Sequence, residues 1–130
     1  MDTKTRIGFF STGLNTYWDQ FEGLLASLEG YSSTIVSFIL GIGDVEVVNL
    51  GMVDSPGKAR EASATVKASG VDLLFAYIST YSLSSTILPP AMEAGCPVIL
   101  LNIQPSAAID YKKINSLDDR GRMTGLWLES

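Results

Sequence analysis

Side chains that could bind a polyol follow three of the apolar runs in this sequence. Tyr17 and Trp18 come shortly after the first run, a hydroxyl-rich stretch from Ser79 to Thr86 follows a later one, and Gln104 follows the last. Aromatic rings can stack on a sugar, and hydroxyl and amide groups both donate and accept hydrogen bonds. Each feature also has a structural alternative, because the two aromatic residues could pack in the core and the Gln104 amide could bond only to loop backbone. The functional prediction depends on these three stretches.

The composition excludes several familiar catalytic designs. The 130-residue chain contains no histidine, so it cannot supply a Ser/His/Asp triad, a Cys/His pair or an imidazole ligand to a metal. Its formal charge is -5 with nine Lys and Arg residues, which argues against nucleic acid as a partner. Cys96 is the single cysteine and is expected to be a small core residue in a reducing compartment. Chemistry carried by this chain would therefore have to use carboxylates, hydroxyls or Lys, or depend on a partner.

Phosphate and metal sites receive little support from the motifs. The loop around Gly13 lacks both GxGxxG and GxxxxGK[ST], so a plain turn is favoured over a bound nucleotide. Asp19 and Glu22 are expected in the first turn of a helix, where they would interact favourably with its dipole. Asp118 and Asp119 are adjacent loop carboxylates, which are usually solvated. We predict no catalytic residue and no metal ligand in this chain.

The hydrophobic pattern predicts alternating strands and helices. Short apolar runs predict four strands, at Ile7–Phe10, Val45–Leu50, Val71–Ile78 and Val98–Leu101. A parallel sheet with right-handed crossovers follows from this alternation. We expect a three-layer, doubly wound α/β fold of the flavodoxin-like kind, with mostly parallel strands in the order 2-1-3-4. In such sheets, ligands bind beyond the carboxyl ends of the strands.

Three helices are expected to connect these strands. Apolar residues three or four apart predict the first helix from Trp18 to about Gly41, with a weak point or kink at Gly30. The second begins with Ser55 as N-cap and Pro56, and ends before Gly70. Pro89 and Pro90 predict a kinked or late-starting third helix through residues 92–94.

The length and the ends of the sequence give further expectations. Residues 1–130 are expected to form a single domain. Residues 110–122 are charged and irregular, and residues 123–129 resemble a helix that has begun but not ended, which predicts an N-terminal piece of a longer chain. The sequence has no signal peptide of usual length and no run long enough to cross a bilayer, so no membrane is expected as a partner and the location is expected to be cytoplasmic.

Three strings carry a resemblance to a known family. IGFFSTGLNTYWDQFEGL, YISTYSLSSTILPPAMEAGCPVILLNIQP and TGLWL resemble the N-terminal domain of the L-arabinose/L-fucose isomerase family, in particular its bacterial isomerase-like members. The resemblance implies a metal-dependent aldose–ketose isomerase, usually with Mn²⁺, whose metal ligands lie in later domains. It also implies that this domain contacts the sugar and a neighbouring subunit of a homo-oligomer.

The resemblance also implies a set of substrate-binding residues. Gln104 matches a glutamine that faces the sugar, and Thr16 and Tyr17 match the wall formed by the first loop. Trp18, Thr80 and Tyr81 complete the candidate set. Leu14 and Ser79 depart from the arabinose isomerase pattern, which has glutamine and histidine there, so the particular sugar stays open.

Two functions from different classes remain at this stage. The first is the substrate-recognition and subunit-contact domain of a sugar isomerase that is not active without the remaining domains of its parent chain. The second is a non-catalytic sugar-binding module that resembles one lobe of a periplasmic-type or repressor-type binding protein. A free-standing flavodoxin-like adaptor is a third, less specific alternative.

Overall fold

Four parallel strands form one sheet in the computed structural model, which describes residues 4–108 and 110–111. The strands are β1 (Thr5–Thr12), β2 (Val45–Val53), β3 (Leu73–Ile78) and β4 (Val98–Leu101). Their order is β2-β1-β3-β4, and every described pair is parallel. The predicted fold class and strand order are therefore confirmed. The connecting helices are α1 (Leu24–Leu40), α2 (Pro56–Ser69) and α3 (Ser84–Glu93).

Helices cover both faces of the sheet, which gives the three predicted layers. On one face, Phe9 and Tyr77 form a buried cluster with Ile39 of α1. On the other face, Phe10 and Leu74 pack against the narrow stripe of α2, formed by Ala59, Ala62 and Val66. Alternate strand residues face opposite sides of a sheet, so a continuous apolar run such as Phe9-Phe10 supplies both cores.

The boundaries of α2 agree with the sequence prediction. The Ser55 hydroxyl accepts a hydrogen bond from the Lys58 N–H at 3.3 Å, and Pro56 occupies the first helical position. Gly70 ends the helix with φ at 60°, a left-handed conformation that a residue with a Cβ adopts only with strain. β2 ends at Val53, shortly before α2 begins. Asp54, which follows Val53, therefore lies at the carboxyl edge of the sheet.

The first helix begins later than predicted. A short 3-10 turn over Asn15–Tyr17 follows β1, and α1 starts at Leu24 rather than at Trp18. Gly23 takes φ of 82° at the N-cap, which interrupts the helical conformation there. Asp19 and Glu22 consequently lie in the exposed connection before the helix, so their predicted place in its first turn was wrong. The helix continues through Gly30.

The late start predicted for the third helix was wrong. It begins at Ser84 and contains Pro89 and Pro90 within its last five residues, rather than starting after them. Proline removes a backbone donor from a helix, but Pro90 is fully buried and α3 packs closely against α2. Burial of this face outweighs the local preference against proline.

The second strand is longer than predicted because of a bulge. Its pairing with β1 shifts between Phe9 and Phe10, which oppose Asn49 and Gly51 and leave Leu50 as the extra residue. Gly51 has φ of 79° and donates its N–H to the Asn49 side chain at 2.9 Å. The glycine therefore allows the strand to continue to Val53 instead of ending it.

Some predictions fall outside the described part of the chain. They concern the helix over residues 123–129, most of the irregular stretch 110–122, and the pair Asp118 and Asp119. Within the described residues, the helices lack the length and apolar character needed to span a bilayer.

Candidate functional site

Thr12, at the end of β1, connects the loops at the carboxyl edge of the sheet. Its backbone carbonyl accepts a hydrogen bond from the Ser79 hydroxyl at 2.6 Å, and its own hydroxyl accepts one from Ser82 at 3.0 Å. Thr12 is fully buried. The loop that follows β3 is thus fastened to the neighbouring strand at two points, at the switch point where such folds bind ligands.

The loop after β3 presents two of the predicted contact residues in different ways. Tyr81 is 60% exposed and its ring is available to a ligand. Thr80 is only 6% exposed, and among the described residues its hydroxyl has no hydrogen-bond partner. A buried hydroxyl without a partner is costly, and such groups are rare in folded proteins.

Gln104 lies beyond the neighbouring strand β4. Tyr77 of β3 is aligned with Leu101 of β4, so Thr80 and Gln104 each come three residues after an aligned pair. Gln104 is exposed, as is Asn102 at the start of the same loop. The structure therefore brings the loops of Thr80, Tyr81 and Gln104 to adjacent strand ends.

The first-loop candidates are fastened toward β2 instead. The Gly13 N–H donates to the Val53 carbonyl at 3.2 Å, and the Asn15 N–H donates to the Asp54 carbonyl at 3.3 Å. Thr16 is exposed on the 3-10 turn, and Tyr17 is half-buried with its ring edge-on to Phe21 at 5.8 Å. β2 and β4 occupy opposite edges of the sheet. The hydrogen bonds described here thus hold the first loop on the side of the sheet away from β4.

Trp18 is engaged inside the protein. Its indole N–H donates to the Asp54 carboxylate at 2.8 Å, and its half-buried ring packs with Leu24, Leu28 and Met52. The ring lies so close to Gly13 that a Cβ there would come within 2.9 Å of it. Between the two interpretations left open by the sequence, these contacts favour the packing role for Trp18.

Asp54 is a buried residue at this edge of the sheet that sequence reasoning missed. It is only 8% exposed although it carries a carboxylate, and it directly precedes the Ser55 N-cap of α2. The predicted strand stopped at Leu50, so Asp54 was not placed at a strand end. An apolar run ended by Asp-Ser-Pro could have indicated it, because that run delivers the carboxylate to the carboxyl edge of the sheet.

The charged and titratable groups of the described residues form no cluster suited to a metal ion and include one thiol. No cluster of three or more His, Cys, Asp or Glu side chains suited to a metal occurs in the part of the chain that the structure describes. Burial raises the pKa of the Cys96 thiol, and the nearby Asp72 carboxylate raises this pKa further. Cys96 is therefore a protonated thiol at neutral pH, a poor nucleophile.

A groove of about 590 Å³ lies between α2 and α3. Ala64, Leu88, Pro89 and Met92 contribute its apolar lining, and an ion pair between Lys67 and Glu93 at 3.5 Å joins the two helices beside it. These residues belong to the later turns of both helices. Because both helices start at the carboxyl edge of the sheet, the groove lies toward the opposite edge from the candidate contact residues.

Comparisons with known proteins add little to this geometry. No protein-family model matches the sequence, and no curated protein matches it. A structure titled "Solution structure of a phosphate-loop protein" is 13% identical, covers 78% of this chain and 81% of its own, and superposes with a TM-score of 0.48. The fold assignment accordingly rests on the strand order and the layers described above.

Proposed function

We propose that this chain is the N-terminal substrate-recognition and subunit-contact domain of a metal-dependent aldose–ketose isomerase. The observation that carries the proposal is the grouping of Thr80, Tyr81 and Gln104 on loops after the neighbouring strands β3 and β4. The resemblance of the sequence to L-arabinose and L-fucose isomerases is what suggests the reaction class. The geometry supports recognition of a neutral polyol by this part of the domain.

The chemistry of these three side chains suits a sugar. An aldose has many hydroxyl groups and no charge, so it is bound by groups that both donate and accept hydrogen bonds and by aromatic faces. Gln104 offers an exposed amide and Tyr81 an exposed ring with a hydroxyl. The Thr80 hydroxyl is unpaired among the described residues but buried, so in this proposal it reaches the sugar only after the loop opens. In this proposal they bind and orient the sugar chain and leave proton transfer to other residues.

The Mn²⁺ ion of the proposed enzyme does not fit the residues described here. Their carboxylates and thiol form no group of metal-ligating size, and the sequence contains no histidine. We therefore assign no metal ligand and no catalytic step to the described residues. In the proposed enzyme, the ion and the groups that move the proton between C1 and C2 belong to other parts of the parent protein.

The exposed apolar residues around β4 support the subunit-contact part of the proposal. Ile99, Leu100 and Ile103 are 44%, 61% and 48% exposed. β4 is an edge strand of the described sheet, and strands at parallel-sheet edges with apolar side chains on both faces are normally covered. A neighbouring subunit or domain would remove this surface from water.

The test is an isomerase assay on the natural polypeptide that contains this sequence. Purified protein is incubated with aldopentoses and 6-deoxyaldohexoses, with and without Mn²⁺, and ketose formation is measured. We expect Mn²⁺-dependent conversion of at least one aldose, and no conversion by residues 1–130 alone. Binding of a sugar without conversion would instead favour the non-catalytic sugar-binding module. Turnover by residues 1–130 alone would contradict the absence of catalytic residues from this chain.

A further inference from the structure

Asp54 is a charged residue in a buried position, which is unusual. The residue is only 8% exposed at the exit of β2, and a carboxylate in such a place requires compensating partners. One partner is the indole N–H of Trp18, which donates to Oδ2 at 2.8 Å. The Asp54 backbone carbonyl accepts a second bond from the Asn15 N–H at 3.3 Å. The residue therefore holds both ends of the turn over residues 15–18.

The indole is also packed closely against Gly13 and Met52. Gly13 leaves room for the ring where any Cβ would come within 2.9 Å of it, and Met52 packs in the same cluster. The carboxylate bond and this close packing together fix the orientation of Trp18. Since Thr16 and Tyr17 directly precede Trp18, the orientation of the indole determines where the turn presents them.

We propose that Asp54 is a positioning residue, which acts through Trp18 to fix the turn that carries Thr16 and Tyr17. Its effect on ligand binding rests on the proposed function and on the resemblance, which implies that Thr16 and Tyr17 form a first-loop wall of the sugar site in addition to the contacts after β3 and β4. Its hold on the turn does not, because that depends only on the contacts of Asp54, Asn15 and Trp18. Asp54 itself is not assigned a contact with the sugar.

The hold on the turn is tested with three variants and two exchange measurements. Asp54→Ala removes the acceptor, Asp54→Asn keeps an acceptor oxygen without the charge, and Trp18→Phe keeps an aromatic ring without the donor. Hydrogen exchange of the Trp18 indole N–H is followed by NMR, with Trp18→Phe identifying its resonance beside that of Trp127. Exchange of the backbone amides of residues 15–18 is followed in the same samples.

We expect Asp54→Ala to accelerate exchange of the indole N–H and of the turn amides by about tenfold or more, since a lost buried bond exposes both. Trp18→Phe is expected to accelerate the turn amides similarly, and Asp54→Asn to stay close to the wild type. Amide exchange of β3 serves as the internal measure of global folding. Unchanged turn exchange in both Asp54→Ala and Trp18→Phe, with β3 still protected, would overturn the proposal.

The consequence for the ligand is measured in the natural polypeptide. Asp54→Ala is expected to raise KM for the aldose by about fivefold or more, with kcat changed by less than about twofold, because a displaced turn loses ground-state and transition-state binding alike. Asp54→Asn is expected to restore KM. A wild-type KM in Asp54→Ala despite faster exchange in the turn would overturn the proposed effect of Asp54 on aldose binding. If the wild type binds no aldose, the proposed function fails, while the exchange result still decides the hold of Asp54 on the turn.

Discussion

Gln104 is the residue whose removal most directly tests the contact predicted after β4. Gln104→Ala is expected to weaken aldose binding about 3- to 10-fold, which corresponds to the roughly 0.5–1.5 kcal/mol of a neutral hydrogen bond. Its exposed side chain contributes little to packing, so the free energy of unfolding should stay within about 0.5 kcal/mol of the wild type. Calorimetric titration of the natural polypeptide measures the binding. Asn102→Ala, in the same exposed loop, is the matched control. Equal affinity of the two variants for the aldose would contradict a contact between Gln104 and the sugar.

Gly13 sets the space available to the Trp18 indole. A Cβ at residue 13 would lie 2.9 Å from Cζ2 and Cη2 of the indole and 3.0 Å from the Met52 sulfur. Gly13→Ala is therefore expected to lower the free energy of unfolding by about 1–3 kcal/mol through overpacking. Urea unfolding measures the change.

Gly30→Ala is the matched control for Gly13→Ala. Gly30 lies inside α1 with nothing within 4 Å of an added Cβ, so alanine there is expected to raise stability by about 0.5–1 kcal/mol. A Gly13→Ala protein as stable as the wild type would mean that the indole can move away from residue 13 at no cost.

Cys96 gives a pH dependence that can be followed by alkylation. Burial, and then the Asp72 carboxylate, raise the pKa of its thiol, so the folded protein should react with iodoacetamide more slowly than the unfolded chain near pH 8.5, around the pKa of a free thiol (about 8.5). Asp72→Asn removes a negative charge and lowers this pKa, which raises the thiolate fraction and the rate at that pH. Burial is the larger cause, so the rate should stay below that of the unfolded chain.

The control for the Cys96 experiment is Asp44→Asn. Asp44 precedes β2, at the opposite edge of the sheet from β4, which Cys96 precedes. Equal alkylation rates in Asp72→Asn and Asp44→Asn would show that the Asp72 charge has no effect at the thiol.

At the scale of elements, the start of α2 depends on a single side-chain cap. The Ser55 hydroxyl satisfies the Lys58 N–H, one of the donors that a helix leaves unpaired at its start. Ser55→Ala is expected to lower the free energy of unfolding by about 0.5–2 kcal/mol. Ser33→Ala, on the exposed side of α1, is expected to be nearly neutral or slightly stabilising. Thermal and urea unfolding measure both, and equal stability of the two variants would contradict the importance of the cap.

The elements that the sequence predicts well are those whose signals are local. Ser55, Pro56 and Gly70 define α2 by capping chemistry alone, and the run from Val98 to Leu101 matches β4 at both ends. The errors arise where a residue that usually ends an element is accommodated inside it. Gly51 reads as the end of a strand but forms a bulge, and Pro90 reads as a helix breaker but is buried against neighbouring elements.

The candidate site is also predictable only in part, because some of its contacts have no local sequence signal. The alternation of strands and helices predicts a parallel sheet, and the flavodoxin-like strand order expected for it places Thr80, Tyr81 and Gln104 at adjacent strand ends. The partnership of Trp18 with Asp54 joins residues 36 positions apart through one hydrogen bond. No periodicity or motif encodes such a contact, so only the folded structure identifies it.

Across the sheet, the central strands and the β4 edge differ in how much apolar surface they leave exposed. In the centre, β1 and β3 contribute buried residues to the cores on both faces. The edge at β4 retains exposed apolar side chains on alternate faces. The proposed subunit or domain contact would cover these exposed side chains at β4.

This asymmetry leads to a prediction about assembly. Leu100 is 61% exposed on β4, so Leu100→Lys should barely affect the folding of this domain, yet it places a charge in the proposed contact. We expect the natural polypeptide carrying Leu100→Lys to sediment as smaller species than the wild type, with a dissociation constant of the assembly raised about tenfold or more. Met92→Lys, on the more exposed surface of α3, is the control and should sediment normally. Unchanged sedimentation of Leu100→Lys, together with lower stability, would assign the β4 surface to contact within the same chain, because a charge there would then disturb folding instead of association.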